Sequence, residues 1–398
     1  MTESAFNRKI EKPASPPRHV ERIGEACGIA ALVNVDGTRE SGARVGKMIR
    51  TMVDRENGLG AGYAAYGLFP DKADLYCLQM LFDDKAALDA GREFVKANFL
   101  LDAEEEIPTH PVASMAGAIP ICRRFFVAVP PEVPAGEDDY VTRQVFRING
   151  DLPGAFVMSS GRDMAVFKGN GWSYEIAEFY GIDDYEACLW LAHSRFPTNS
   201  PGWWGGAHPF NVLDLSIVHN GEITSYGTNR RYVEMAGYRC TLLTDSEVIA
   251  YAIDLLLRRQ RLPELVAFAA LAPPYHFIIE EVADENTREL LREIRKNYRP
   301  AMLNGPFSIA VAARSPELTL YGLTDRKKLR PMVAATSADG NTVFLSSEEC
   351  AIAILGDEGA AAWAPHAGQP VIAGVGRGLV WRGTEDYFEG LEIAFENA

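Results

Sequence analysis

Paired cysteines are missing from this chain. Its six cysteines, at 27, 77, 122, 188, 240 and 350, are scattered with no CxxC spacing. That excludes a zinc ribbon and a disulfide framework, and it fits a reducing compartment. HExxH is absent too, and no clustered His/Asp/Glu spacing points to a metal. Positive charge is scarce: 39 Lys and Arg stand against 54 Asp and Glu, a net charge of −15. A nucleic acid or an anionic membrane is therefore a poor partner, because phosphate binding rests on Lys and Arg. No apolar run reaches the roughly 20 residues of a spanning helix, and the stretch LVAFAALAPPYHFII is broken by paired prolines. The first 26 residues, MTESAFNRKIEKPASPPRHVERIGEA, lack the apolar centre of a secretion signal. Together these absences describe an acidic, cytoplasmic chain that binds neither nucleic acid nor membrane.

What is present suffices for a large core: 398 residues, 47% of them hydrophobic. Residues 27–35 read as a strand closed by the turn pair Asp36-Gly37. Ser41 can cap a helix with apolar positions Val45, Met48, Ile49 and Met52. The glycine-rich run NGLGAGYAAYG (57–67) lacks the Lys-Ser/Thr of a phosphate loop and reads as close backbone packing. Residues 81–98 look helical, 101–150 look like irregular excursions, and 213–218 (LDLSIV) reads as a buried strand. Thr244 and Glu247 have capping-box spacing ahead of an apolar stripe at Val248, Ala252, Leu255 and Leu256. A charged helix is expected over 281–299, and strands return in FSIAVAA, LTLYGL, VAATS and TVFLSS. Many strands and a few long helices without regular βαβ alternation predict an α+β fold with layered sheets.

Cys27 opens the apolar run CGIAALVNVDG behind a polar, Pro-containing leader. A cysteine in such a place is ordinarily a small core hydrophobe. A second reading follows from acid–base chemistry. A thiol of pKa about 8.5 needs a base, and a free α-amine, at roughly 7.7–8.0, titrates near working pH where lysine does not. Cutting before Cys27 would place nucleophile and base on one residue.

Three further motifs bear on that choice: HSRFPTNSPGWWGGAHPF (193–210), IVHNGEI (217–223) and TDSE (244–247). Singly, Arg195 reads as a surface cation, Asn220-Gly221 as a hairpin turn and Asp245 as a helix-terminal acid. Jointly they supply what a substrate with a side-chain amide, a carboxylate and an ammonium requires. Cys27 is the nucleophile, and the Asn220 amide and Gly221 N–H are oxyanion donors. Arg195 offers a planar fork for a carboxylate and Asp245 a partner for an ammonium. Free L-glutamine has those groups. Attack on its amide releases ammonia and leaves a thioester for water to hydrolyse.

The order Cys…HSRF…HNG…DSE, with GAHPF before the HNG strand, resembles the class II glutamine amidotransferases. These are N-terminal nucleophile hydrolases, and the resemblance implies a four-layer αββα sandwich over 27–398 after a 1–26 leader. It implies Cys27 as nucleophile and, through its freed amine, base; Arg195 and Thr198 at the glutamine carboxylate; Asn220 and Gly221 as oxyanion hole; and Asp245 at the α-amine. His193, His208 and His219 are structural on this reading. MVDRENGLGAGYAAYG resembles the family's Arg-Gly element near the nucleophile, with Glu56 where the family carries glycine after Arg55. Within the class, AFVMSSGRDMAVFKGNGW, NGPFSIAVA, DRKKLRP and LSSEECAI resemble elements of the glutaminase domain of glutamate synthase.

The chain carries no SGGxDS pyrophosphatase loop, no acidic-pair phosphoribosyl motif, and no FMN barrel or iron–sulfur cysteines. The resemblance therefore implies a glutaminase subunit without a cofactor of its own, passing ammonia to a separate synthase subunit that carries FMN and iron–sulfur clusters. The corresponding subunit of an N-methylglutamate synthase is the alternative within the family. A non-catalytic scaffold that keeps its leader is the alternative outside it.

Overall fold

The computed structural model describes residues 27–396 except 116, 117, 135, 197–201, 315 and 357–359, with side chains to 391. The leader expected over 1–26 lies outside the described residues. The described residues divide into two compact units: one holds 27–28 and Arg39–Ser216, the other Ile29–Thr38 and 217–396. Both mix helices with sheets whose strands pair antiparallel, which makes the chain α+β as its sequence predicts. No helix among the described residues is long and apolar enough to cross a membrane.

The strand β1 (Gly28–Asn34) carries the chain from the first unit into the second, and every residue in it is buried. In the first unit, β2 (Glu40–Ser41) precedes helix α1 (Ala43–Arg50). The Ser41 hydroxyl accepts the Ala43 N–H at 3.1 Å, and Val45, Met48, Ile49 and Met52 are all buried, as their spacing requires. Each such side chain contributes roughly 2 kcal/mol by leaving water. The glycine-rich run forms β3 (Ala61–Tyr66). A methyl on Gly62 would overlap the His208 carbonyl and come within 2.6 Å of the Lys168 Cβ, so the glycine serves close packing.

The expected helix over 81–98 begins later. Residues up to Phe82 form β4 (Tyr76–Phe82), and α2 (Lys85–Asn98) starts where the Asp84 carboxylate accepts the Ala87 N–H. The stretch 101–150 is not irregular but ordered throughout most of its length. It contains β5 (Leu100–Glu106), β6 (Ile121–Ala128) and α3 (Glu137–Asp151). The run Glu104–Glu106 hides its strand because each carboxylate meets an arginine: Arg92 at 2.7 Å, Arg124 at 3.3 Å and Arg123 at 2.8 Å. As an edge strand paired with β6 alone, β5 tolerates that exposed charge. With β7 (Ala155–Ser159) the sheet runs β5-β6-β4-β7.

Next come β8 (Met164–Gly169), α4 (Ser173–Tyr180), β9 (Glu186–Ala187), β10 (Leu189–Ser194) and β11 (Phe210–Val212). β10 pairs with β3, and β3 with β8, which sets His193 opposite Gly62 and Ser194 opposite Ala61. Arg195 thus leaves the end of β10 on a rigid support.

The strand β12 (Leu215–Gly221), which passes into the second unit at Ile217, is buried as expected and is followed there by α5 (Tyr226–Met235) and α6 (Asp245–Asp254). The anticipated capping box does not form. The Thr244 side chain makes no capping bond. The Glu247 carboxylate turns back to the N–H groups of Thr241 and Leu242, at 3.0 and 2.9 Å, and to the Tyr251 hydroxyl at 3.2 Å. The reason is burial: Ser246–Asp254 are buried on every side, so the acid must satisfy donors inside the protein. Val248, Ala252, Leu255 and Leu256 are buried as their stripe predicts. The helices α7 (Glu264–Leu271), α8 (His276–Glu280) and the charged α9 (Glu285–Asn297) follow.

The remaining strands are β13 (Phe307–Arg314), β14 (Leu318–Thr324), β15 (Val333–Thr336), β16 (Thr342–Ser346), β17 (Ala361–Trp363), β18 (Val371–Gly374) and β19 (Gly378–Trp381), with α10 (Cys350–Ala353) and α11 (Tyr387–Glu396). They form the ladders β17-β15-β16-β1 and β13-β14-β18-β19. β1 is held to β16 over Ala30–Asn34, so the strand behind Cys27 is clamped from its first turns.

Candidate active site

Cys27 stands at the entrance of β1 and is half-buried. Gly28 follows it because there is no room for more: a Cβ there would lie 2.6 Å from the Ser194 hydroxyl. The Cys27 thiol accepts the backbone N–H of Phe196 at 3.3 Å, and its carbonyl accepts from the Arg55 guanidinium at 3.4 Å.

Arg195 is buried and belongs to the same unit. Its N–H donates to the Gly60 carbonyl at 3.0 Å, and its carbonyl accepts the Asn57 N–H at 3.4 Å. The first unit therefore brings together Cys27, Arg55 and the Arg195-Phe196 pair through the loop that precedes β3. Thr198 falls in 197–201, outside the described residues.

Beyond that stretch, the loop returns past buried His208, whose ring stacks on His193 with centroids 4.0 Å apart. Lys168 of β8, also buried, donates to the carbonyls of Gly205 at 2.9 Å and Pro209 at 3.1 Å. Sequence reasoning passed over Lys168; its signal was a lone lysine in the apolar strand MAVFKG.

The second unit holds the other candidates. Asn220 is 1% exposed, and neither the oxygen nor the nitrogen of its side-chain amide has a hydrogen-bond partner among the described residues. Leaving such a group buried and unpaired costs about 1–3 kcal/mol. Gly221 has φ +132°, and a Cβ there would overlap the Pro306 carbonyl, so only glycine suits the position. The chain is held there by Glu222 N–H to the Pro306 carbonyl, 3.0 Å, and Thr224 N–H to that of Asn304, 2.7 Å. Asn220-Gly221 is thus the end of a strand locked onto β13, not a loose hairpin turn.

Asp245 opens α6, and its carboxylate accepts the Ile223 N–H at 3.0 Å. His219 is buried, with Nδ1 3.0 Å from the Ser246 hydroxyl and 3.8 Å from Asp245. Burial lowers the pKa of its imidazole, against the opposing pull of Asp245. The His219 ring bridges β12 and α6. Glu247, in the same first turn of α6 as Asp245, is pushed up to about 7 by burial. Among the described residues no group of three His, Cys, Asp or Glu is placed to hold a metal ion.

The family model for class II glutamine amidotransferases matches residues 117–255. An uncharacterized protein of Archaeoglobus fulgidus is 44% identical over 354 residues, covering 87% of this chain and 92% of that one. An amidophosphoribosyltransferase of Staphylococcus aureus is 28% identical over 42% of this chain and 28% of its own length. A glutamine–fructose-6-phosphate aminotransferase of Vibrio vulnificus is 31% identical over 27% of this chain and 18% of its own. Among solved structures, the glutamine phosphoribosylpyrophosphate amidotransferase of B. subtilis, complexed with ADP and GMP, aligns with a TM-score of 0.43 and 13% identity. That alignment covers 87% of this chain and 47% of the other. The match over residues 117–255 gives this chain a class II glutamine amidotransferase domain, the family that its motif order resembles.

Proposed function

We propose that this chain is a glutaminase subunit that hydrolyses L-glutamine to glutamate and ammonia. The supporting observation is the Asn220 amide, buried with both polar atoms unpartnered among the described residues. Folding alone gives no reason to keep it, whereas an oxyanion that forms only during reaction does.

In the proposed reaction the Cys27 sulfur attacks the side-chain amide carbon of glutamine. The carbonyl oxygen gains the charge that the Asn220 amide and the Gly221 N–H receive. The C–N bond breaks, and ammonia leaves with the proton held by the α-amine of Cys27, freed when residues 1–26 are removed. Water then attacks the thioester, with the same amine as base. Arg195 and Thr198 hold the carboxylate of glutamine, and Asp245 holds its α-ammonium.

The likeness of the motifs to glutamate synthase extends the proposal: the ammonia passes to a separate FMN-containing synthase subunit, which supplies the redox chemistry. Ammonia release from L-glutamine, measured on protein whose N-terminus is established by intact mass, tests the glutaminase reading. Co-expression with the candidate synthase, followed by co-elution with flavin absorbance, tests the partner. Free glutaminase activity without co-elution would confine the proposal to the first part.

A further inference from the structure

The loop ahead of β3 touches the nucleophile from two directions. Arg55 donates to the Cys27 carbonyl at 3.4 Å. Asn57 and Gly60 hold the Arg195 backbone, and the next N–H, that of Phe196, meets the Cys27 thiol at 3.3 Å. The side chain between Arg55 and Asn57 fastens the loop to the rest of the unit. Glu56 is 4% exposed, and its carboxylate accepts both the N–H and the hydroxyl of Ser173, at 2.8 Å each, where α4 begins. A buried acid stands where the resembling family carries glycine.

We propose that Glu56 is a positioning residue for Cys27: its ionised carboxylate clamps the loop to α4 and so keeps Arg55 on the Cys27 carbonyl and Phe196 N–H on the thiol. The inference rests on Cys27 being the nucleophile. The ionised acid makes two charge-assisted hydrogen bonds to Ser173, and its protonated form makes weaker ones.

Burial pushes Glu56 up to about 7, against the lowering pull of the two Ser173 bonds. The groups around it are few. From α4, Glu175 adds a like charge while its carboxylate accepts the Trp172 N–H at 2.9 Å. From β3, the Tyr63 hydroxyl donates to the Ser173 carbonyl at 2.9 Å. Burial keeps that phenol protonated, Glu56 and Asp183 act in the same direction, and Arg50 of α1 opposes them. On the loop itself lie Asp54 and Arg55. The clamp is therefore at full strength above neutral pH and weakens below it.

The test is the alkylation rate of Cys27 by iodoacetamide, located by peptide mass spectrometry on the full purified protein, from about pH 5.5 to 9. In the wild type the rate should show a step with a midpoint near 7, apart from the rise due to the thiol itself. Glu56→Gln should remove that step. Ser173→Ala, which takes away one bond favouring the ionised acid, should move it upward. Where glutamine is turned over, Glu56→Gln should lower kcat about tenfold at alkaline pH and leave KM within about twofold. A step that persists in Glu56→Gln, or one that Ser173→Ala fails to move, overturns the inference; if Glu56→Gln does not fold, Ser173→Ala alone decides. Alkylation needs no glutamine. Loss of the step without any glutaminase activity refutes the proposed function and spares the clamp, whereas an unchanged step with Cys27-dependent glutaminase activity does the reverse.

Discussion

The carboxylate of Asp245 accepts the backbone N–H of Ile223 at 3.0 Å, tying the first residue of α6 to the chain three residues beyond Asn220. The side chain that is proposed to hold the ammonium of glutamine also braces the strand end that carries the proposed oxyanion donors, Asn220 and Gly221. Its two oxygens divide the work: Oδ2 faces Ile223, and Oδ1 faces the hydroxyls of Thr244 and Ser246 at 3.4 Å each.

That division predicts different outcomes for two substitutions. Asp245→Asn keeps an acceptor for Ile223 and loses the charge, so KM for glutamine should rise by tenfold or more with kcat little changed. Asp245→Ala also removes the brace and should lower kcat in addition. Steady-state kinetics on both variants reads the difference. Equal effects of the two would mean that the brace is without consequence, and an unchanged KM in both would remove Asp245 from the substrate.

Asn220 predicts a trade of stability against activity. Its amide is buried without a partner among the described residues, so Asn220→Ala removes an unpaired polar group and leaves only a small void. The melting temperature should stay level or rise, within about 1 kcal/mol of the wild type. Glutaminase kcat should fall about 10²–10³-fold. A variant that loses stability and keeps its turnover would show that the amide serves the fold.

Acid–base behaviour gives a third expectation. Burial raises both Glu56 and Glu247 from 4.5 to about 7. Their folded values lie above their unfolded ones, so between those limits the folded chain holds protons that the unfolded chain has released. Stability from these two groups therefore falls as pH rises through that window and levels off above it. At about 1.4 kcal/mol per pH unit, each accounts for up to roughly 3 kcal/mol. His219 acts the other way: burial lowers its pKa, so its contribution is present above the unfolded value near 6.5 and is lost as pH falls below it. Thermal melts from about pH 5 to 8 on the wild type, Glu56→Gln and Glu247→Gln isolate the two acids. Each variant should lose less stability than the wild type on going to high pH. Parallel curves would contradict the buried-acid account.

Much of this molecule was legible because its local signals agree with its packing. The α1 stripe, the charged α9 and the buried β1 each follow from spacing alone. The strand β5 was not legible, since three consecutive glutamates become strand residues only when Arg92, Arg123 and Arg124 stand across from them. The capping box over Thr244 and Glu247 failed for a related reason. The motif assumes a solvated helix end, and burial sends Glu247 to the donors of Thr241 and Leu242. In the candidate site, the roles proposed for Cys27, Arg195 and the Asn220-Gly221 pair rest on motif order, because chemistry restricts the residue types that could fill them. Glu56 and Lys168 could not, because their work consists of contacts to Ser173 and to the Gly205 and Pro209 carbonyls, which no spacing reveals.

The most direct measurement is ammonia release from L-glutamine by protein lacking residues 1–26, with Cys27 intact or replaced in Cys27→Ala. The account predicts turnover by the first and a loss of at least about 10³-fold in the second, with the melting temperature unchanged. Turnover by Cys27→Ala near the wild-type rate would contradict it.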